Sequence, residues 1–154
     1  MRAYRHILLA SHGTAGARAA ERAALELAAP GGRLSQLVVV PDFWKGMMGD
    51  DWLNNASTRD AYARHVERQL EREIETEVAR VREAAAERDL RYERRLVLGK
   101  PAECLLEAAA SLKPDLVVIG SPRPPRVRGL RSRMQLETLL RALAAPLLVV
   151  PYPR

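Results

Sequence analysis

Five arginines, Arg123, Arg126, Arg128, Arg131 and Arg133, fall within eleven residues. A guanidinium group is planar, permanently charged and able to grip phosphate or carboxylate oxygens through two parallel hydrogen bonds. This run is therefore the densest candidate for anion chemistry in the chain. Pro122, Pro124 and Pro125 stiffen it by fixing φ. The same run also reads as a solvated basic loop, and both readings stand at this level. Hydroxyl donors lie at Ser11, Thr14 and Ser121. Each can serve a ligand, although Thr14 also suits a helix N-cap. His6, His12 and His65 are too scattered to pair as metal ligands, and Cys104 is the sole cysteine, so an internal disulfide is excluded. Cys104 falls in an expected helix and reads as a buried structural thiol. No Ser-His-Asp constellation or pair of carboxylates converging on one pocket can be placed. The chemistry on offer is binding, not catalysis.

The elements that must hold these groups alternate between strand and helix patterns. Arg5–Ala10 reads as a first strand, followed by a helix over Ala15–Ala29 that Pro30-Gly31-Gly32 stops. Leu34–Val40 is a second strand, apolar enough at Val38-Val39-Val40 to be buried on both faces. The segment Phe43–Trp52 carries both tryptophans, and would either pack on the following helix or cover the mouth of a cleft. Ser57 and Asp60 resemble a capping box for a long helix whose stripe is Val66, Leu70, Ile74, Val78, Val81 and Ala85. Its Arg- and Glu-rich face reads as solvated. Arg91–Leu98 is the most polar strand and belongs at an edge. Gly99-Lys100-Pro101 opens a helix with Leu105, Ala109 and Leu112 inward. Asp115–Gly120 is a buried fourth strand. Ser132 to Gln135 reads as a second capping box, before a helix with Leu136, Leu139, Leu140 and Leu143 inside. Leu147–Val150 is the last strand.

Strands joined by right-handed crossovers, with the most apolar pair flanking the first, give the order 3-2-1-4-5. The expected fold is α/β: a doubly wound, five-stranded parallel sheet with helices on both faces, in one domain over residues 1–154. Ligands in such sheets sit outside the carboxyl ends of the strands, where the strand order reverses. That rule selects the loops Ser11–Thr14 and Ser121–Arg133, and the ligand- or anion-binding candidates in and around them are Ser11, His12, Gly13, Thr14, Val40, Gly120, Ser121, Arg123, Arg126, Arg133, Met134 and Gln135.

Composition narrows the classes further. At 154 residues and 47% hydrophobic, the chain can build a core. Its longest apolar runs, Leu37–Pro41, Leu116–Gly120 and Leu147–Pro151, are far short of the ~20 residues that span a bilayer. The apolar stretch near the N-terminus is too short for a signal peptide. A cytoplasmic protein without membrane insertion is expected. The net charge is +6, yet aromatics are 5% and none interleaves with the arginine run, so no stacking platform for nucleic acid is present.

Four stretches together resemble the universal stress protein family: Ile7–Ala10 running into Gly13-Thr14, Gly99–Leu105, Asp115–Ser121 and Ala145–Val150. The resemblance covers about residues 5–151, apart from the tryptophan-bearing segment, and implies a Rossmann-like fold of the adenine nucleotide alpha hydrolase-like type. Members that bind ATP carry Gly, two residues, Gly, nine residues, then Gly followed by Ser or Thr. Here Gly120 matches the first glycine, Arg123 and Arg133 replace the next two, and Met134 stands where the hydroxyl belongs. The acidic residue expected after the first strand is replaced by His12. A Cβ at each replaced glycine blocks close approach of the backbone to phosphate. The resemblance therefore implies the branch that does not use the standard ATP motif, with no cofactor and no enzymatic role. The alternative is an ATP- or other adenine-nucleotide-binding module in which arginine side chains rebuild the anion site, with slow hydrolysis conceivable only there. His12 also invites comparison with nucleotidyl transferases, but the second histidine of their His-x-x-His or His-x-Gly-His run is absent.

The family usually dimerises through antiparallel pairing of its last strand. Leu147, Leu148, Val149 and Val150 suit that edge, with Pro146 and Pro151 limiting its length. The expected function is a homodimeric stress-response protein, regulatory or protective, that acts by binding a protein partner.

Overall fold

The computed structural model describes residues 3–10, 15–40, 72, 74–98, 100–121 and 135–153. Five strands, β1 (Tyr4–Ala10), β2 (Ala28–Val40), β3 (Arg91–Leu98), β4 (Leu116–Gly120) and β5 (Leu147–Val150), form one sheet in the order β3-β2-β1-β4-β5. Every pairing is parallel. The central strand is the most buried: Ile7, Leu8 and Leu9 are fully enclosed because helices cover both faces of the sheet there. Each such side chain contributes about 1.5–3 kcal/mol through removal from water.

Side chains alternate across the sheet and divide the core in two. On one face Ile7, Leu9, Leu34, Leu116 and Val118 meet helix α1 (Ala15–Leu27) and helix α2, described over residues 74–87. Ala17, Ala20 and Ala24 make the buried side of α1, so small side chains let its backbone lie close to the sheet. On the other face Leu8, Leu37, Val117 and Ile119 meet helix α3 (Pro101–Leu112) and helix α4 (Leu136–Ala142). Of the expected stripe of α2, Val78, Val81 and Ala85 are buried and Ile74 is half-buried. The helix ends in a Schellman turn, with Leu90 N–H donating to the Ala85 carbonyl at 3.0 Å and Asp89 N–H to the Ala86 carbonyl at 3.1 Å. Asp89 takes the left-handed conformation, φ 56°, that such a turn needs. Pro101 opens α3 as expected, and Lys113, φ 51°, closes it before Pro114.

Several expectations are corrected. Helix α1 ends at Leu27, not Ala29, and β2 begins at Ala28, so Pro30-Gly31-Gly32 lies inside a strand. The reason is a large bulge: Tyr4 pairs with Ala28 and His6 with Arg33, leaving Arg5 alone opposite residues 29–32. Asp115 precedes β4. Its carboxylate accepts hydrogen bonds from the backbone N–H groups of Arg5 (2.8 Å) and His6 (3.2 Å), tying the start of β1 to that of β4. Leu140 is 66% exposed, because a seven-residue helix turns only one stripe, through Leu136, Leu139 and Leu143, onto the sheet. Gln135 is extended and is itself the N-cap of α4, not a residue inside its first turn as expected, and its Oε1 accepts from Thr138 Oγ1 at 3.2 Å; Ser132 lies outside the described residues. Cys104 is half-buried rather than buried. The charged face of α2 is only partly solvated. Arg80 reaches Glu21 of α1 at 2.7 Å and also pairs with Glu77, and Glu21 is almost wholly buried.

Candidate ligand site at the carboxyl ends of the strands

β1, β2 and β3 follow one another in one direction across the sheet, with α1 and α2 on one face. β4 and β5 follow in the other direction, with α3 and α4 on the opposite face. The reversal falls between β1 and β4, paired from Ile7–Leu116 to Leu9–Val118. β1 is followed by α1 on one face and β4 by α4 on the other, and ligands of sheets built this way bind outside the carboxyl ends of the strands at such a reversal.

Gly120 ends β4 opposite Val150 of β5. The next residue, Ser121, is half-buried, and its backbone N–H donates to the Val150 carbonyl at 2.8 Å. This bond fixes the direction in which the chain leaves β4. Val40 ends β2 opposite Leu98, on the far side of β1 from Gly120. Gln135 is exposed at the start of α4. Of the twelve candidate positions, then, Gly120, Ser121, Val40 and Gln135 fall on described residues. Only Gly120 and Ser121 lie directly at the reversal. Ser11, His12, Gly13, Thr14, Arg123, Arg126, Arg133 and Met134 lie outside the described residues, as do the Phe43–Trp52 segment, the Ser57–Asp60 box, and Val66 and Leu70.

The dimer-edge candidates Leu147, Leu148, Val149 and Val150 form β5 as expected, at the end of the sheet. All four are half-buried. The Pro146 carbonyl accepts from Val117 N–H at 2.9 Å and the Val150 carbonyl accepts from Ser121 N–H. Because N–H and C=O of one strand residue share a side and alternate along the strand, Leu148 also faces β4, and Leu147 and Val149 turn their backbone groups to the outer edge.

A concavity missed from sequence lies at the opposite, amino end of the sheet. It encloses about 450 Å³ and is lined by Arg5, Arg33, Arg91, Tyr92, Glu93 and the 29–32 bulge. No sequence signal marks it, since Arg5, Arg33 and Arg91 come from three strands that only the sheet brings side by side. No helix among the described residues is long and apolar enough to cross a membrane.

The universal stress protein family model matches residues 3–151. No curated protein sequence matches the chain. Among solved structures, the chain resembles hypothetical protein MJ0577 at TM-score 0.72 and 14% identity, covering 98% of each chain. It resembles a universal stress protein family member from Burkholderia pseudomallei at TM-score 0.64 and 28% identity, covering 96% of each. A universal stress protein solved in complex with cAMP aligns at TM-score 0.56 and 21% identity, over 98% of this chain and 99% of that one. With the family pattern running from β1 to the end of β5 and the strand order β3-β2-β1-β4-β5, the chain belongs to the universal stress protein family.

Proposed function

We propose that this chain is a single-domain, homodimeric binding protein of the cytosol, regulatory or protective under stress, and not an enzyme. The observation that carries the reading is the outer edge of β5, unpaired among the described residues, where Leu147 and Val149 turn their backbone groups outward. An apolar strand edge of this kind favours pairing with a second copy. The replacement of two motif glycines by Arg123 and Arg133 supports a role that does not depend on the standard ATP motif. A protein partner is the expected target.

A second reading is favoured by one observation: Gly120 and Ser121 end β4 at the strand-order reversal, and a relative has been solved with cAMP. In that reading the chain holds an adenine nucleotide through Arg123, Arg126 and Arg133, which follow Ser121 in the chain. Calorimetric titration of ATP, ADP, AMP and cAMP into the protein at near-physiological salt separates the two. The first reading expects no binding heat that depends on Arg123 and Arg133. A Kd tighter than about 100 µM, roughly −5.5 kcal/mol, that is lost in the Arg123→Ala, Arg133→Ala double variant would replace it with the second.

A further inference from the structure

We propose that the cleft at the amino end of the sheet is a second anion site, which takes a phosphorylated small molecule through Arg5, Arg33 and Arg91. It stands independently of the proposed function, because it lies at the other end of the strands from Gly120 and Ser121.

Two observations carry it. The first is the lining. Three guanidinium-bearing residues and one carboxylate, Glu93, border a space of about 450 Å³. Glu93 is divided between Arg33, at 2.8 Å, and Arg95, at 3.3 Å. Neither Arg5 nor Arg91 has an ion-pair partner among the described residues, so the cleft keeps an excess of positive charge. The second is the register. Arg33 and Arg91 are direct cross-strand partners in the β2–β3 ladder. Glu93 offsets the charge of Arg33, but Arg91 has no ion-pair partner among the described residues, and like charges placed opposite one another repel and destabilise a sheet. A bound phosphate group removes that repulsion and accepts several charge-assisted hydrogen bonds at once.

The rest of the cleft fits a ligand larger than inorganic phosphate. Tyr92 and Pro30 give it an apolar wall. Gly31 stands at φ 76° with nothing within 4 Å of where a Cβ would be, so the bulge leaves room rather than filling it. The volume accommodates an organic group attached to the phosphate. Nothing in the wall distinguishes a sugar phosphate from a free pyrophosphate, so the shared chemistry, a multiply charged phosphoryl group, defines the site.

The test uses pyrophosphate and glucose 6-phosphate as probes, with ionic strength matched by sodium chloride. Any ligand that binds only the folded state raises the melting temperature. Calorimetry on the intact protein is expected to give saturable binding of at least one probe. Arg5→Ala with Arg91→Ala is expected to weaken it at least tenfold, in the Arg123→Ala, Arg133→Ala background as well as in the parent. Pyrophosphate binding without glucose 6-phosphate binding would assign the site to free polyphosphate, and the converse to a phosphate ester. A sharper variant is Arg91→Glu, which places opposite charges in register with Arg33. It is expected to melt at the same or a higher temperature than the parent in the absence of ligand, yet to lose the probe-induced rise in melting temperature. The proposal is overturned if neither probe binds above the salt control, if the Arg5/Arg91 pair binds as tightly as the parent, or if Arg91→Glu keeps the full ligand response.

Discussion

His6 stands in β1 directly opposite Arg33, with its Nε2 2.8 Å from Ser35 Oγ. Burial, and then the charge of Arg33, lower its pKa below 6.5, and the carboxylates of Asp115 and Glu93 offset only part of this. The folded protein thus holds the neutral ring more strongly than the unfolded chain does. Protons bind the unfolded state first as pH falls, so the stability contributed by neutral His6 is complete above about pH 6.5 and is lost below it, down through the folded pKa. Urea midpoints measured at pH 7.5 and 5.5 are expected to fall toward the acid side. In His6→Gln, which keeps a polar group facing Ser35, that fall is expected to shrink. An identical fall in parent and variant would assign the effect to other groups. The sequence exposed His6 only as a histidine without metal partners. Its contacts depend on a strand pairing 29 residues away, which composition and spacing do not carry. Leu140 escaped for a related reason: period alone cannot separate it from Leu139 on a helix of two turns, and only the packed sheet decides which one is enclosed.

At the scale of elements, the misread segment is the start of β2. Proline and two glycines in a row are ordinary signals for a turn, and here they build a bulge that keeps the strand paired on either side of it. The two glycines do different work. A Cβ at Gly32 would lie 2.8 Å from the carbonyl oxygens of both Ala29 and Arg5, which are backbone atoms and cannot swing aside. Gly31 needs only its positive φ. Gly32→Ala is therefore expected to lower stability by about 1–3 kcal/mol, as overpacking does. Gly31→Asn should be nearly neutral, since Asn tolerates the left-handed region. Chemical denaturation of both variants checks the contrast, and equal losses would mean that close approach is not what Gly32 supplies. By comparison β3, β4 and β5 lie within a residue of where the pattern puts them. Each is a run of suitable polarity bounded by proline, glycine or a helix end, and no bulge intrudes. The charged face of α2 was legible as charged, but Glu21 lies on another helix, so its burial against Arg80 was not.

For the whole molecule, strand order was legible because polarity ranks the strands: the arginine-rich β3 at one edge, the apolar β2 and β4 around β1. The other edge, β5, is apolar and short, and its polar backbone groups alternate. Pro146 and Val150 turn their carbonyls toward β4, so Leu147 and Val149 direct theirs outward. Two copies pairing antiparallel across a two-fold axis would use those outward groups, and each copy would cover the exposed Leu140 of α4 or leave it at the rim. Pro151, which has no N–H, ends the donor row on the outer side. Val149→Pro removes an outward N–H while leaving the ladder to β4 intact, because Val149 does not donate to it. The preceding residue, Leu148, is already in a strand, the conformation a following proline prefers. The substitution should therefore uncouple assembly from folding. Sedimentation or light scattering is expected to give the parent at twice its 17.2 kDa chain mass and Val149→Pro at 17.2 kDa, with unchanged circular dichroism. Leu148→Pro provides the control: it strikes the side bonded to β4 and is expected to unfold the edge rather than split a folded dimer. A Val149→Pro protein that remains dimeric would move the interface away from β5, to another surface such as the exposed face of α4.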